Sequence, residues 1–288
     1  MQLALGTAQF GLKYGVAGRE GMVPEREVKD ILSRASELGI RVLDTAAAYG
    51  DIESRLVPLA GKSQFKVISK ISAKPPDIGK AGLGGWVTNE VLRSCDRVGA
   101  SLHGLMFHQA KDLLNEGGDD LWRACEAVTA DRDLKLGVSC YDVDTLRQVQ
   151  SRFPVTIAQV PGNVFDQRLA APALSASSFL EIHVRSVFLQ GLLLMPPSIA
   201  AARIPAAANP LGLWGRWCES RQITPIIAAL GVVKGFAGAS YCVVGVDSLA
   251  QLEELAQAWF DAPVLIAPEL AVADANVIDP RRWPAAGA

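Results

Sequence analysis

The chain has 288 residues, half of them apolar, with 28 Lys and Arg against 30 Asp and Glu for a net charge of −2. A core of useful size is within reach, and the balance excludes the basic stripe that nucleic acid or an anionic membrane surface would require. Five scattered cysteines (Cys95, Cys125, Cys140, Cys218, Cys242) form no CxxC pair. Neither a zinc knuckle nor a disulfide framework is expected, and a reduced, cytoplasmic compartment is the default. A leader-type N-terminus and a run of about 18 uncharged apolar residues are both lacking, so neither a signal peptide nor a membrane span is expected.

Strand one is the apolar run Gln2–Thr7. The loop from Ala8 to Pro24 carries Gln9, Phe10 and Tyr14. Pro24 opens a helix at its first turn; Val28, Ile31, Leu32, Ala35 and Leu38 recur at helical spacing, and Gly39 ends it. Strand two, Val42-Leu43, runs into Asp44, and a turn then brings Tyr49 and Gly50. Further strands are expected at 65–71, 102–108, 135–139, 155–160, 181–188 and 241–245. Helices are expected at 54–60, 87–98, 121–129, 143–151, 171–178, 213–220, 224–236 and 248–260. A long Pro/Ala-rich segment, 195–211, reads as a loop, and loops of that length are usually functional.

Eight strand–helix units follow one another without a linker, and several strands are almost wholly apolar, as in a parallel sheet covered on both faces. The fold class is therefore α/β, a single (β/α)8 TIM barrel over residues 1–288 with a C-terminal tail from about 262. Active sites of such barrels lie at the C-terminal ends of the strands.

Four polar residues fall at those ends: Asp44, Tyr49 just beyond it, Lys70 and His108. Each has a bland reading, as a helix cap, a turn aromatic, a solvated strand end and a core histidine respectively. Their joint placement on three consecutive strands favours convergence over the barrel mouth. An ammonium beside a phenol would lower the phenol's pKa from about 10. A carboxylate would hold the ammonium, and an imidazole could orient a substrate oxygen. Such a phenol can protonate a carbonyl as hydride arrives, and hydride requires a nicotinamide cofactor. His103 and His183 read as structural, and no carboxylate–histidine cluster has metal spacing. The glycines of 82–85 do not form a phosphate loop.

These residues resemble the aldo-keto reductase family, in its short bacterial-type form. The matching stretches are Leu43-Asp-Thr-Ala-Ala-Ala-Tyr-Gly50 with Glu53, Ile68-Ser-Lys70, Met106-Phe-His108, Gly137-Val-Ser139, and Gln159 with Asn163. The resemblance implies Tyr49 as general acid/base, tuned by Lys70 and Asp44, with His108 orienting the carbonyl. It implies NADP(H) or NAD(H) extended across the mouth, with Ser139 and Gln159 on the carboxamide. Thr7, Gln190, Gly191, Gly245, Val246, Gln251 and Glu254 would also line the cofactor. Arg185, or else Phe188, would stack on the nicotinamide. Gln9, Phe10 and Tyr14 would face substrate.

Cys140 stands where the family usually has Asn, and Asp247 and Gln251 stand where it usually has basic residues for a 2′-phosphate. An acid near the ribose suits a free hydroxyl, so NADH use is open. The usual N-terminal closing hairpin is expected to be missing. The expected function is an NAD(P)(H)-dependent oxidoreductase interconverting aldehydes or ketones, including sugars or hydroxy-aldehydes, with alcohols. The alternative is a cofactor-binding sensor or scaffold subunit with little turnover. A barrel lyase using Lys70 as a Schiff base shares only the fold.

Overall fold

A computed structural model of the chain describes residues 1–13, 22–170 and 180–284. Eight parallel strands close into a barrel in sequence order: β1 Gln2–Gly6, β2 Val42–Asp44, β3 Lys66–Ile71, β4 Leu102–Phe107, β5 Lys135–Ser139, β6 Ile157–Pro161, β7 Glu181–Arg185 and β8 Ala239–Gly245. β1 is already a barrel strand and pairs with both β2 and β8. The outer layer contains α1 Ala8–Gly11, α2 Glu25–Glu37, α3 Ile52–Ala60, α4 Leu83–Val98, α5 Lys111–Leu114, α6 Gly118–Thr129, α7 Val143–Gln150, α8 Pro197–Arg203, α9 Ala208–Ser220, α10 Pro225–Lys234, α11 Leu249–Asp261 and α12 Ala275–Ile278. No helix among the described residues is long and apolar enough to cross a membrane.

The amphipathic helices form as their patterns require. In α2 the apolar positions Val28, Ile31, Leu32 and Ala35 are buried against the barrel. Pro24 is its N-cap, one position before the first turn, and Gly39 follows the helix with φ +81°. The chief departure from the sequence reading lies at 195–211, which is largely helical. Pro197 takes the first position of α8, where its missing N–H costs nothing. The alanines that follow are the best helix formers. α8 and α9 bury Ala200, Leu211, Trp214 and Trp217. β7 is shorter than expected, because Ser186 turns the chain with φ +60°. The expected helix at 171–178 lies outside the described residues.

Pleat alternation decides what the barrel contains, since residues two apart share a face. Ala4, Val42, Ile68, Met106, Ile157 and Val243 make one apolar interior cluster. Two residues further along the same strands stand Gly6, Asp44, Lys70, His108, Gln159 and Gly245. One layer of the interior is thus hydrocarbon and the next, at the C-terminal rim, is polar. The opposite end is closed by other polar groups. His183, fully buried, bonds Oε1 of Glu181 at 2.8 Å and meets the Tyr241 ring at a tilt with centroids 4.8 Å apart, and Lys135 pairs with Glu181. His183 lies away from the polar rim residues, and it has the partners that the sequence reading found lacking.

Candidate active site

The strand ladder continues past the strand ends and fixes the loops that carry the polar groups. Thr7 donates through both its N–H and its hydroxyl to the carbonyl of Asp44, at 2.9 and 3.0 Å. The N–H of Thr45 donates to Ile68 O at 2.8 Å, Ala47 to Lys70 O at 3.1 Å, and His108 to Ile71 O at 3.1 Å. Tyr49 sits in the turn that follows, with its N–H on Ala46 O at 2.9 Å. That turn is pressed against α1: a Cβ on Gly11 would lie 2.0 Å from Tyr49 O, and one on Gly50 would lie 2.8 Å from Gly11 O. Only two glycines permit this approach, so they place the phenol. Glu53, in the first turn of α3, is buried and accepts from Ser69, from Ser94 Oγ at 2.9 Å and from Arg97 at 3.0 Å. It pins α3 to β3 and α4.

Lys70 is 1% exposed and Asp44 5%. The ammonium Nζ donates to both carboxylate oxygens of Asp44 at 2.8 Å and to Thr45 O at 2.9 Å. It lies 5.4 Å from the centroid of the Tyr49 ring. The His108 ring meets the Tyr49 ring edge-on, with centroids 6.0 Å apart. Gln159 Nε2 donates to Asp44 Oδ1 at 2.7 Å. The expected cluster of four therefore assembles, and a fifth member joins it through Gln159. The sequence reading assigned Gln159 only to the cofactor, because a bond from β6 to β2 spans the barrel and leaves no local signal.

The electrostatics differ from the sequence expectation. Burial raises the Tyr49 pKa well above that of a free phenol; Asp44 adds to the rise and Arg185 opposes it. His108 is held down at about 4 by burial and by Lys70, against the pull of Asp44, with Arg185 lowering it further. At neutral pH the site presents a protonated phenol and a neutral imidazole.

Tyr49, Asp44 and Gln159 open into a cavity of about 530 Å³. Its walls also include Thr7, Gln9, Arg185 and Phe188. Gln190, Gly191, Gly245, Val246, Asp247, Gln251 and Glu254 line it as well. Several residues after β7 are in the left-handed region, with φ of 60° at Ser186, 45° at Leu189, 55° at Gln190 and 90° at Gly191. Strained backbone of this kind concentrates at functional sites. Asn163 braces the turn, donating to Ser186 O at 3.2 Å. Gln251 receives the N–H of Asp247 at 2.8 Å, and Ser248 caps α11 through Gln251 N at 3.2 Å. The Gln9 amide lies across Gly245, where a Cβ would be 2.3 Å from its nitrogen.

Lys70 and His108 are not among the residues that line this cavity, and three further expected residues stand apart. Phe10 is fully buried in the core and faces no cavity, because α1 turns its ring inward against the helix layer. Ser139 is buried at the end of β5, outside the cavity lining. Tyr14 lies outside the described residues. One group went unnoticed in the sequence. Tyr141, after β5, carries the Arg185 guanidinium at 4.4 Å and that of Arg281, from the tail, at 3.5 Å from its ring centroid.

The Aldo/keto reductase family matches residues 2–265. AKR11C1 from Bacillus halodurans, in its holo form, is similar at 18% identity and TM-score 0.71, covering 98% of this chain and 95% of its own. The glycerol dehydrogenase AKR11B4 from Gluconobacter oxydans is similar at 17% identity and TM-score 0.67, covering 93% and 88%. PA4992 of Pseudomonas aeruginosa, assigned to the aldo-keto reductases, is 21% identical with TM-score 0.65 over 90% of each chain. These likenesses carry the fold, and no curated protein sequence matches. The family match spans the barrel from β1 through α11, and every element that holds the polar rim lies within it: the chain belongs to the aldo/keto reductase family of carbonyl oxidoreductases.

Proposed function

We propose that the whole chain acts as one barrel domain that interconverts an aldehyde or ketone with an alcohol, using NAD(H) or NADP(H). The observation that carries this reading is the buried Lys70–Asp44 pair beneath Tyr49, at the inner end of the cavity. Burying two charges is costly unless they are paired and hydrogen-bonded. A pair placed under a phenol at a strand end is hard to explain by packing alone.

The cavity suits a nicotinamide dinucleotide. Its lining runs from strand-end residues of β1, β2 and β6 to residues that follow β7 and β8, and side chains are absent at Gly6, Gly191 and Gly245. The left-handed turn at 189–191 brings backbone to its wall. Gln159 and Arg185 would hold the nicotinamide end; Gln190, Gly191 and Gly245 to Glu254 would hold the remainder. The bound cofactor supplies or accepts hydride. Tyr49, protonated at neutral pH, donates its proton to the substrate oxygen as the carbon is reduced. The neutral imidazole of His108 orients that oxygen. Lys70 keeps a positive charge close to the phenolate that remains, and Asp44 keeps Lys70 charged and in place.

Asp247 and Glu254 make the far end of the cavity acidic, which favours a free ribose hydroxyl and therefore NADH. The substrate class we propose is a hydroxylated carbonyl compound such as a sugar or hydroxy-aldehyde, for which the Gln9 amide, in the cavity wall against Gly245, is one available hydrogen-bonding group. The test is Tyr49→Phe. Turnover of an aldehyde panel should fall by on the order of 10²-fold or more, with cofactor affinity unchanged. Undiminished turnover would remove Tyr49 from the mechanism, and wild-type protein that binds cofactor but turns over nothing would favour the sensor role.

A further inference from the structure

Most of the cations at the barrel mouth are paired. Lys70 is paired with Asp44, Arg168 with Asp166 and Arg281 with Asp279. Arg185 differs. Its guanidinium donates to Ser186 Oγ at 3.1 Å and to Cys140 O at 3.0 Å, and one face rests on Tyr141. All three partners are neutral, and no described carboxylate forms an ion pair with it. The side chain is half-buried and lines the cavity with Tyr49 and Gln159.

Its position follows from strand order. Arg185 ends β7, and Cys140 follows β5, so a bond between them must cross the end of β6, above Gln159. A carbonyl oxygen must lie within hydrogen-bond reach of Tyr49 to receive its proton. The hydride donor must stand about 3–3.5 Å from the attached carbon. A nicotinamide so placed shares this small cavity with the Arg185 charge, which also acts on Tyr49 and His108.

In reduction, the hydride with its electron pair leaves the nicotinamide for the carbonyl carbon, and the Tyr49 proton goes to the oxygen. The ring changes from neutral to cationic. A fixed cation nearby opposes that change. We propose that Arg185 makes this site discriminate between the redox forms of its cofactor, binding the reduced dinucleotide more tightly than the oxidised one. The inference rests on the nicotinamide-dependent reading above. A ligand shifts an equilibrium only by its differential affinity for the two states. The bound equilibrium is therefore drawn towards reduced cofactor and carbonyl compound, and oxidised cofactor leaves readily. At an effective dielectric of about 20, two unit charges several ångströms apart interact strongly enough for a tenfold effect or more. The half-exposure of Arg185 argues for the lower figure, equivalent to about 30 mV for a two-electron couple.

The experiment is fluorescence titration of wild type, Arg185→Met, Arg185→Gln and Arg185→Lys with NAD+, NADH, NADP+ and NADPH. The quantity read is Kd(oxidised)/Kd(reduced) for each pair. Lost stacking weakens both forms alike and leaves the ratio unmoved; lost charge moves it. The expected result is a ratio well above one in wild type, reduced about tenfold in both neutral variants and kept in Arg185→Lys. The second neutral variant guards against misfolding of the first, checked by melting temperature. A wild-type ratio that survives in Arg185→Met and Arg185→Gln overturns the inference and leaves the enzyme reading intact. Failure of wild type to bind any of the four overturns both.

Discussion

Gln159 Nε2 lies 2.7 Å from Asp44 Oδ1, so one hydrogen bond joins β6 to β2, strands on opposite sides of the barrel. Asp44 is thereby shared by an ammonium from β3 and an amide from β6. The bond lays a polar floor between the apolar interior and the cavity above it. That carboxylate and the Thr45 carbonyl both hold the lysine ammonium.

Lys70→Met leaves the Asp44 carboxylate buried with only neutral donors. A broken buried pair costs about 3–5 kcal/mol, and urea unfolding of Lys70→Met should show a loss of that order. Adding Asp44→Asn removes the stranded charge and should recover about half of it or more. Additive losses in the double variant would mean that the two groups are not energetically coupled.

The approach of Gly11 to Tyr49 makes a sharper test of positioning. Gly11→Ala sets a methyl 2.0 Å from Tyr49 O, so the turn must move and kcat should fall by on the order of tenfold to a hundredfold, as small misplacements do. Gly85→Ala is the counterpart. Gly85 is exposed inside α4, with nothing within 4 Å of the new methyl. Stability should rise by about 0.5–1 kcal/mol with activity unchanged.

Two large pKa shifts contribute to the acid response, alongside lowered values at His103 and Asp279. His108 is held at about 4, below the 6.5 of a free imidazole, and Glu181 at about 2, below 4.5. Between about 6.5 and 4 the unfolded chain binds a proton at residue 108 that the folded chain refuses. Between about 4.5 and 2 the same holds at residue 181. Stability rises with pH where the unfolded state binds more protons. Both contributions are therefore complete above about 6.5 and are lost as the pH falls. Chemical denaturation from pH 7 to 3 should show this decline, and Glu181→Gln should flatten its lower part only. A His108-linked limb in kcat/KM should appear near pH 4 and not near 6.5.

The acidic end of the cavity sets the cofactor expectation. Replacing Asp247 by Ser removes a charge from the cavity wall and should raise NADPH affinity relative to NADH by on the order of tenfold. Titration of both reduced cofactors decides it. An unchanged ratio would place the discrimination at another residue.

The sequence by itself determined the barrel. Eight apolar strand patterns alternating with amphipathic helices are local signals, written at periods of 2 and 3.6 residues. It also determined which residues reach the rim, because pleating puts Asp44, Lys70, His108 and Gln159 two positions beyond buried apolar ones. Composition misled at 195–211, where proline and alanine suit a helix start and a helix interior as well as a loop. Phe10 read as a pocket residue, since nothing local tells which way a short helix turns its ring. Only the tertiary structure decided the state of the site. Burial keeps Tyr49 protonated, the bond across the barrel recruits Gln159, and the tail brings Arg281 onto Tyr141. Solvation and contacts between residues distant in sequence exist only once the barrel has closed, so no periodicity along the chain records them.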